Sequence, residues 1–287
     1  MMAALAQKIR GLQIKVEIIR TKGDIVTNVP LAKIGDRGLF IKDIEEALLE
    51  DRIDFAVHSM KDVPSEIPPG LVLAATTERL DPRDALVGRD VDRLEDLPKN
   101  GTVATGSLRR RSQILALRPD LQVEDLRGNV NTRLRKFDES SWDAVILAGA
   151  GLERLELSHR ISARIPTDVM LPAVGQGALA LEARAEDRQV LEWLSELQHR
   201  ETANAVVAER AFLRRLEGGC QVPIGALGRI QGNKIVLEGF IGTTDGRRTM
   251  RRRGEASVAE AGELGLALAE EILAEGGREI LEETRGA

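Results

Sequence analysis

Between Thr102 and Leu152 the sequence alternates short apolar runs with segments whose apolar residues recur at helical spacing. The pattern predicts strands at 102–104, 121–126 and 144–148, and helices over Ser107–Leu117, Val130–Phe137 and around Leu152. This order constrains the fold more than any other feature, because strands joined through helices lie mostly parallel and are covered by those helices. Ligands of such sheets bind beyond the carboxyl ends of the strands. TGS (105–107), RGN (127–129) and AGAG (148–151) fall at those ends, so polar groups converge from separate loops. Thr105 and Ser107 stand where a helix begins, where hydroxyls and free amide groups can accept a carboxylate or phosphate.

The flanking regions extend this plan. Residues 12–20 alternate like a strand, 40–50 carry Ile41, Ile44, Ala47 and Leu48 at helical spacing, and 54–58 read as a short buried strand. A strand, helix, strand unit is the simplest reading, with 28–38 as a loop and prolines 64, 68 and 69 as breaks. After a helical stretch from about 186 to 216, strands are expected at 224–230, 234–241 and 247–253, joined by GN and TDG turns, then helix over 257–284. The expected architecture is two α/β domains with mainly parallel (mixed) sheets, resembling solute-binding proteins, plus a small α+β domain with a three-stranded antiparallel sheet. Arg247, Arg248 and Arg251–Arg253 fit a solvated, aggregation-resistant edge better than a nucleic-acid patch.

Composition removes several chemistries. The chain has 287 residues, 41 basic and 46 acidic, for a net charge of −5, and it contains no tyrosine. An acidic, aromatic-poor chain is a poor match for a nucleic-acid binder. One cysteine and three scattered histidines exclude a disulfide scaffold and leave no metal-ligand spacing, so no metal is expected. Neither a secretory leader nor an apolar run long enough to span a bilayer is visible, which makes the cytoplasm the expected location. Arginine outnumbers lysine 32 to 9, and from Gly101 to Ser140 eight basic residues face five acidic ones. An anionic ligand suits that stretch.

Two further segments carry reactive groups. His58-Ser59-Met60-Lys61-Asp62-Val63-Pro64 leaves a buried strand and stops at proline, presenting Ser59, Lys61 and Asp62 at a sheet edge. Glu217-Gly218-Gly219-Cys220 sets the lone thiol after two glycines, where a large group can approach the backbone. Taken singly, a Lys-Asp pair is commonly a structural ion pair and a lone cysteine an inert buried thiol. The motifs PLAKIGDRGLF, DFAVHSMKDVP, DPRDAL, GSLRR, DLRGNVNTRL, LPAVGQGAL and AERAFLRRLEGGCQVPIGA, in this order, resemble those of the porphobilinogen deaminase (hydroxymethylbilane synthase) family from about Gly11 to the C-terminal helix.

That resemblance implies a transferase that joins four porphobilinogen molecules head to tail, with release of ammonia, into hydroxymethylbilane. It implies a dipyrromethane cofactor, attached covalently through Cys220, as the primer. Asp62 matches the catalytic aspartate, whose carboxylate stabilises the cationic pyrrole N–H of an azafulvenium electrophile and helps move protons. Each pyrrole carries an acetate and a propionate, which guanidinium forks pair with bidentately. Ser59, Lys61, Thr105, Ser107, Arg109 and Arg110 are accordingly expected to hold the cofactor, and Arg127, Arg133, Lys33, Phe40 and Gln176 the substrate. Lys33 and Phe40 flank a loop expected to close over the site and exclude water.

The expected division is 1–77 with 178–197 as domain 1, 83–171 as domain 2 and 200–287 as domain 3. Relative to the family, the resemblance starts after a first strand and a Thr-Arg-x-Ser-x-Leu-Ala motif, so domain 1 is expected to lack its N-terminal strand and to be less stable and less active. Asp36 and Arg37 replace the family's usual Gly-Lys. The resemblance also implies a monomer that passes its product to uroporphyrinogen-III synthase. The alternative is a truncated, impaired homologue acting as a non-catalytic anion- or solute-binding protein.

Overall fold

A computed structural model describes residues 2–9, 11–19, 41–216 and 222–286. In chain order the regular elements are helix α1 (Met2–Lys8), α2 (Lys42–Leu49), strands β1 (Phe55–Ser59), β2 (Leu71–Thr76), β3 (Asp84–Gly88) and β4 (Thr102–Ala104), and α3 (Leu108–Leu117). They continue through β5 (Gln122–Glu124), α4 (Val130–Glu139), β6 (Ala144–Ala148), α5 (Gly149–Arg154), β7 (Ala163–Arg164), β8 (Leu179–Arg184), α6 (Arg188–Ser195) and α7 (Arg200–Arg215). The C-terminal part adds β9 (Ile224–Gln231), β10 (Lys234–Gly242), β11 (Thr249–Ser257), α8 (Ala261–Ile272) and α9 (Arg278–Gly286).

The described strands form three sheets. One has the order β1-β8-β2, the second β5-β4-β6-β3-β7, and the third β11-β10-β9. The α/β class with a small antiparallel third sheet agrees with the sequence reading. In the second sheet β4 pairs in parallel with β5 and β6, but β3 runs antiparallel to β6 and β7. The first sheet's described pairs are all antiparallel. Alternation along β3 and β6 fills both faces of the second sheet. Leu86 and Ile146 join Val103, Ile114 and Met170 on one side, while Ala85, Val87, Val145 and Leu147 join Leu126, Leu134 and Phe137 on the other. The third sheet buries Ile235, Leu237 and Ile241 against Phe212 of α7 and Leu268 and Ile272 of α8.

Three expectations are corrected here. Residues 12–19 are not a strand. Leu12 and Ile14 pack against the cluster containing Ala75 and Leu181, but no described strand pairs with them in a backbone ladder, so alternation alone does not make a strand, and the strand, helix, strand unit is absent. The helix expected over 257–284 breaks at Glu275-Gly276, where Gly276 takes φ 104°, a value that suits glycine. The edge arginines of β11 are less free than expected. Arg251 donates to Thr167 O (2.9 Å), Asp168 O (2.6 Å) and Glu238, Arg252 pairs with Glu275, and Arg248 with Glu283. The acidic helices and β10 neutralise the patch that a nucleic acid would need.

Candidate functional site

Four chain segments meet at one cleft between the first and second sheets. After β1 the chain makes a 3-10 turn, Met60–Asp62, that holds Met60 in the core while leaving Lys61 half-buried and Asp62 exposed. After β4, Ser107 caps α3, its Oγ accepting from Arg110 N at 3.5 Å. After β5, Asn129 caps α4 through Thr132 N (2.9 Å), and after β6, α5 starts at once at Gly149. Ser59, Lys61, Ala148, Gly151, Arg154 and Gln176 line a small cavity of about 40 Å³. The sheet ends thus supply the ligand-facing positions expected of an α/β fold.

Electrostatics in the cleft are dominated by cations. Lys61 is held below the ordinary lysine pKa, first by burial; Arg110 and Arg133 add to the effect and Asp62 and Asp84 oppose it. Burial, with the like charges of Arg110 and Arg127, pushes Arg133 down to about 10 against the pull of Asp62. It therefore stays charged at neutral pH. Arg133 Nε donates to Gly128 O (2.6 Å), which keeps the RGN turn and α4 together. Arg127 is lowered by burial, with Asp125 opposing, and its Nη2 is buried without a partner.

Arg109 and Arg110 behave differently from the sequence expectation that they face a ligand. Both are 4% exposed and both pair with Asp84, which is fully buried. Arg109 Nη1 donates to Asp84 Oδ2 (2.8 Å) and Leu171 O (2.7 Å), whereas Arg110 reaches Asp84 Oδ1 through Nε (3.0 Å) and Nη2 (2.8 Å) and Ile146 O through Nη1 (2.9 Å). Gln176 Nε2 adds a third side-chain donor to Asp84 (2.9 Å) and also bonds Pro82 O (2.7 Å). Burial would raise the Asp84 pKa, but Arg109 and Arg110 hold it far below the usual carboxylate range. One carboxylate thus joins the start of β3, helix α3 and the 171–178 connection. Arg109 Nε and Gln176 Oε1 remain buried without partners.

Of the other expected site residues, Thr105 is 2% exposed and lies under its turn, 3.4 Å from Ser107 N, while Ser59 and Ser107 are partly open. Lys33, Phe40 and Cys220, with Asp36 and Arg37, lie outside the described residues. Sequence reasoning missed two residues. Asp84 is marked only as a charge opening an apolar run, and Arg154 only by its place on the helix that follows β6; the latter lines the cavity and donates from Nη2 to Gly177 O (2.6 Å). Among the described residues no group of three or more potential metal ligands occurs, and no helix is long and apolar enough to cross a membrane.

Comparison with known proteins adds the decisive observation. Residues 1–192 match the family model described as porphobilinogen deaminase, dipyromethane cofactor binding domain, and residues 203–274 match the porphobilinogen deaminase C-terminal domain. The chain belongs to the porphobilinogen deaminase family. Porphobilinogen deaminase from Geobacter metallireducens is 49% identical over 279 residues, covering 97% of this chain and 87% of that one. The Roseiflexus sp. and Chlorobium luteolum porphobilinogen deaminases are 52% and 48% identical over 94% and 99% of this chain. Among solved structures, a YaeC-family lipoprotein from Enterococcus faecalis overlaps 55% of this chain and 76% of its own at a TM-score of 0.37 and 18% identity. The family's cofactor, a polycarboxylate, suits the donors present: Lys61 and Arg154 line the cavity, Arg133 stands charged beside Lys61, and Arg127 Nη2 has no partner.

Proposed function

We propose that this chain is the transferase that polymerises four porphobilinogen molecules head to tail, releasing ammonia, into hydroxymethylbilane in tetrapyrrole biosynthesis. The observation that carries this reading is a cation-rich cleft in which the exposed carboxylate of Asp62 stands beside Lys61 and Arg133, in a chain of the porphobilinogen deaminase family. The dipyrromethane, attached through Cys220, supplies the pyrrole end onto which the first unit is joined. Lys61, Arg127, Arg133 and Arg154 bind the carboxylate arms of cofactor and substrate, and each guanidinium stays charged throughout the working pH range. Ser59 and Ser107 add hydroxyl donors, with Thr105 supporting the turn.

Asp62 is the catalytic residue. Its carboxylate oxygens accept the pyrrole N–H, offset the positive charge that develops as ammonia departs, and hold a proton in transit. Arg109, Arg110 and Gln176 act through Asp84 as well as toward carboxylates, setting the position of α3 against the 171–178 connection. Lys33 and Phe40 flank the covering loop in this reading. The frame is three domains, 1–77 with 178–197, 83–171 and 200–287, working as a cytoplasmic monomer whose product passes to uroporphyrinogen-III synthase. Nothing in the cleft or the comparisons favours the alternative of a non-catalytic solute-binding protein.

The covalent link provides the test. Protein purified from cells that make porphobilinogen, denatured and weighed intact, is expected to exceed its sequence mass by one dipyrromethane, and Cys220→Ser is expected to remove the excess. An unmodified wild-type mass would overturn the reading.

A further inference from the structure

The chain leaves the Met60–Asp62 turn through Val63-Pro64-Ser65, which belong to no strand, so their carbonyl oxygens have no ladder partner. One guanidinium holds all three. Arg210, 9% exposed on α7, donates from Nη1 to Val63 O (3.2 Å) and from Nη2 to Pro64 O (2.6 Å) and Ser65 O (3.2 Å). Among the described residues it pairs with no carboxylate. Burial first, and then the like charge of Arg214, lower its pKa. A buried cation satisfied only by carbonyl dipoles is costly, and its geometry is specific to the backbone it grips.

The other end of this grip is fixed as well. Glu209, the preceding residue, is fully buried and accepts from Arg79 Nη1 (2.8 Å), Gly175 N (2.7 Å) and Gly228 N (2.8 Å). This turn of α7 is therefore tied to both connections between the first two sheets and to β9. The chain of α7 then runs on through Leu216 toward Cys220. A donor locked in place on one side and three consecutive carbonyls on the other leave the turn bearing Lys61 and Asp62 little freedom to shift.

We propose that Arg210 is a positioning residue for Asp62, holding the catalytic turn in one frame with the helix that leads to the cofactor-bearing segment. The proposal rests on the roles given above to Asp62 and Cys220. Small displacements of a reacting group cost rate far more than affinity, so the expected signature lies in kcat.

The test uses the full-length protein carrying its cofactor. Arg210→Gln is expected to load the cofactor like wild type by intact mass, to lower kcat about tenfold or more and to change KM by less than about twofold. Amide exchange in the 60–66 region is expected to accelerate about tenfold or more while the second sheet is unchanged. Arg214→Gln, which removes only an exposed contact to Ser65 O (3.3 Å), is expected to keep wild-type kcat. In an Asp62→Glu background, where the carboxylate is already displaced, Arg210→Gln is expected to cost less than about twofold further.

Wild-type kcat in loaded Arg210→Gln, or the same fold loss in both backgrounds, would overturn the proposal. If the Gln variant does not fold, Arg210→Lys, which can still reach one carbonyl, is expected to give intermediate kcat and exchange; wild-type values for both would overturn it equally. A wild-type protein without the covalent mass increment would instead sink the reading of the site, and the exchange measurement would still decide whether Arg210 holds the turn.

Discussion

At the scale of single residues, Asp62 and Asp84 are two carboxylates placed in opposite environments. Asp62 is exposed beside Lys61 and Arg133, whereas Asp84 is sealed beneath Arg109, Arg110 and Gln176. Asp62→Asn is expected to keep the melting temperature of wild type and lose most turnover, measured as product formed per loaded enzyme; wild-type rates would remove it from the chemistry. Asp84→Asn is expected to destabilise the fold by about 3–5 kcal/mol in chemical denaturation, because two buried guanidiniums lose their counter-charge. Since the folded pKa of Asp84 is depressed, its stabilisation is fully present above the unfolded value near ~4 and is lost as pH falls toward the folded one. Acid unfolding should therefore be less steep in the Asn variant. Arginine identity and local excess were legible in the sequence, but the partners of Arg109 and Arg110 were not. Asp84 lies 25 and 26 positions from them and 92 from Gln176, and no local pattern encodes such a contact.

At the scale of elements, α3 is the piece on which the site depends. Its register follows from apolar spacing and a Ser107 cap, both visible in the sequence. Its placement follows from the third sheet. Gly246, at φ 72°, lets the β10–β11 turn lie against α3 so closely that a Cβ there would come within 2.5 Å of Ser112 O and Ala116 N. Both atoms are backbone and cannot swing away. Gly246→Ala is expected to destabilise the protein by about 1–3 kcal/mol and lower its melting temperature, with a raised KM as Arg109 and Arg110 shift. An unchanged melting temperature would show that the turn can relax without moving the helix. The TDG signal predicted this turn, yet nothing in it announced a helix from another part of the chain as its neighbour.

At the scale of the whole molecule, a chain of net charge −5 builds one cleft in which cations outnumber carboxylates. Concentrated charge of one sign attracts an anionic substrate, and mobile ions screen that attraction. KM for porphobilinogen is expected to rise as salt is increased from about 0.05 to 0.5 M while kcat changes little, read from steady-state rates. A flat KM would mean that the cleft arginines serve structure alone. Elsewhere on the surface Arg248, Arg251 and Arg252 are neutralised by Glu283, Glu238 and Glu275, whereas among the described residues no ion pair joins Lys61, Arg127 or Arg133.

The sequence by itself determined the helices and hairpins whose signals are local, the convergence of TGS, RGN and AGAG at strand ends, and the family to which the motifs belong. Only the tertiary structure decided that 12–19 form no strand, that β3 runs antiparallel beside β6, that Arg109 and Arg110 close on Asp84, and that Arg210 grips the exit of the Met60–Asp62 turn. Periodicity and capping are settled within a few residues of chain. Ladder hydrogen bonds, buried ion pairs and carbonyl clamps need a partner from far along it, and which partner arrives is fixed only when the whole chain has packed.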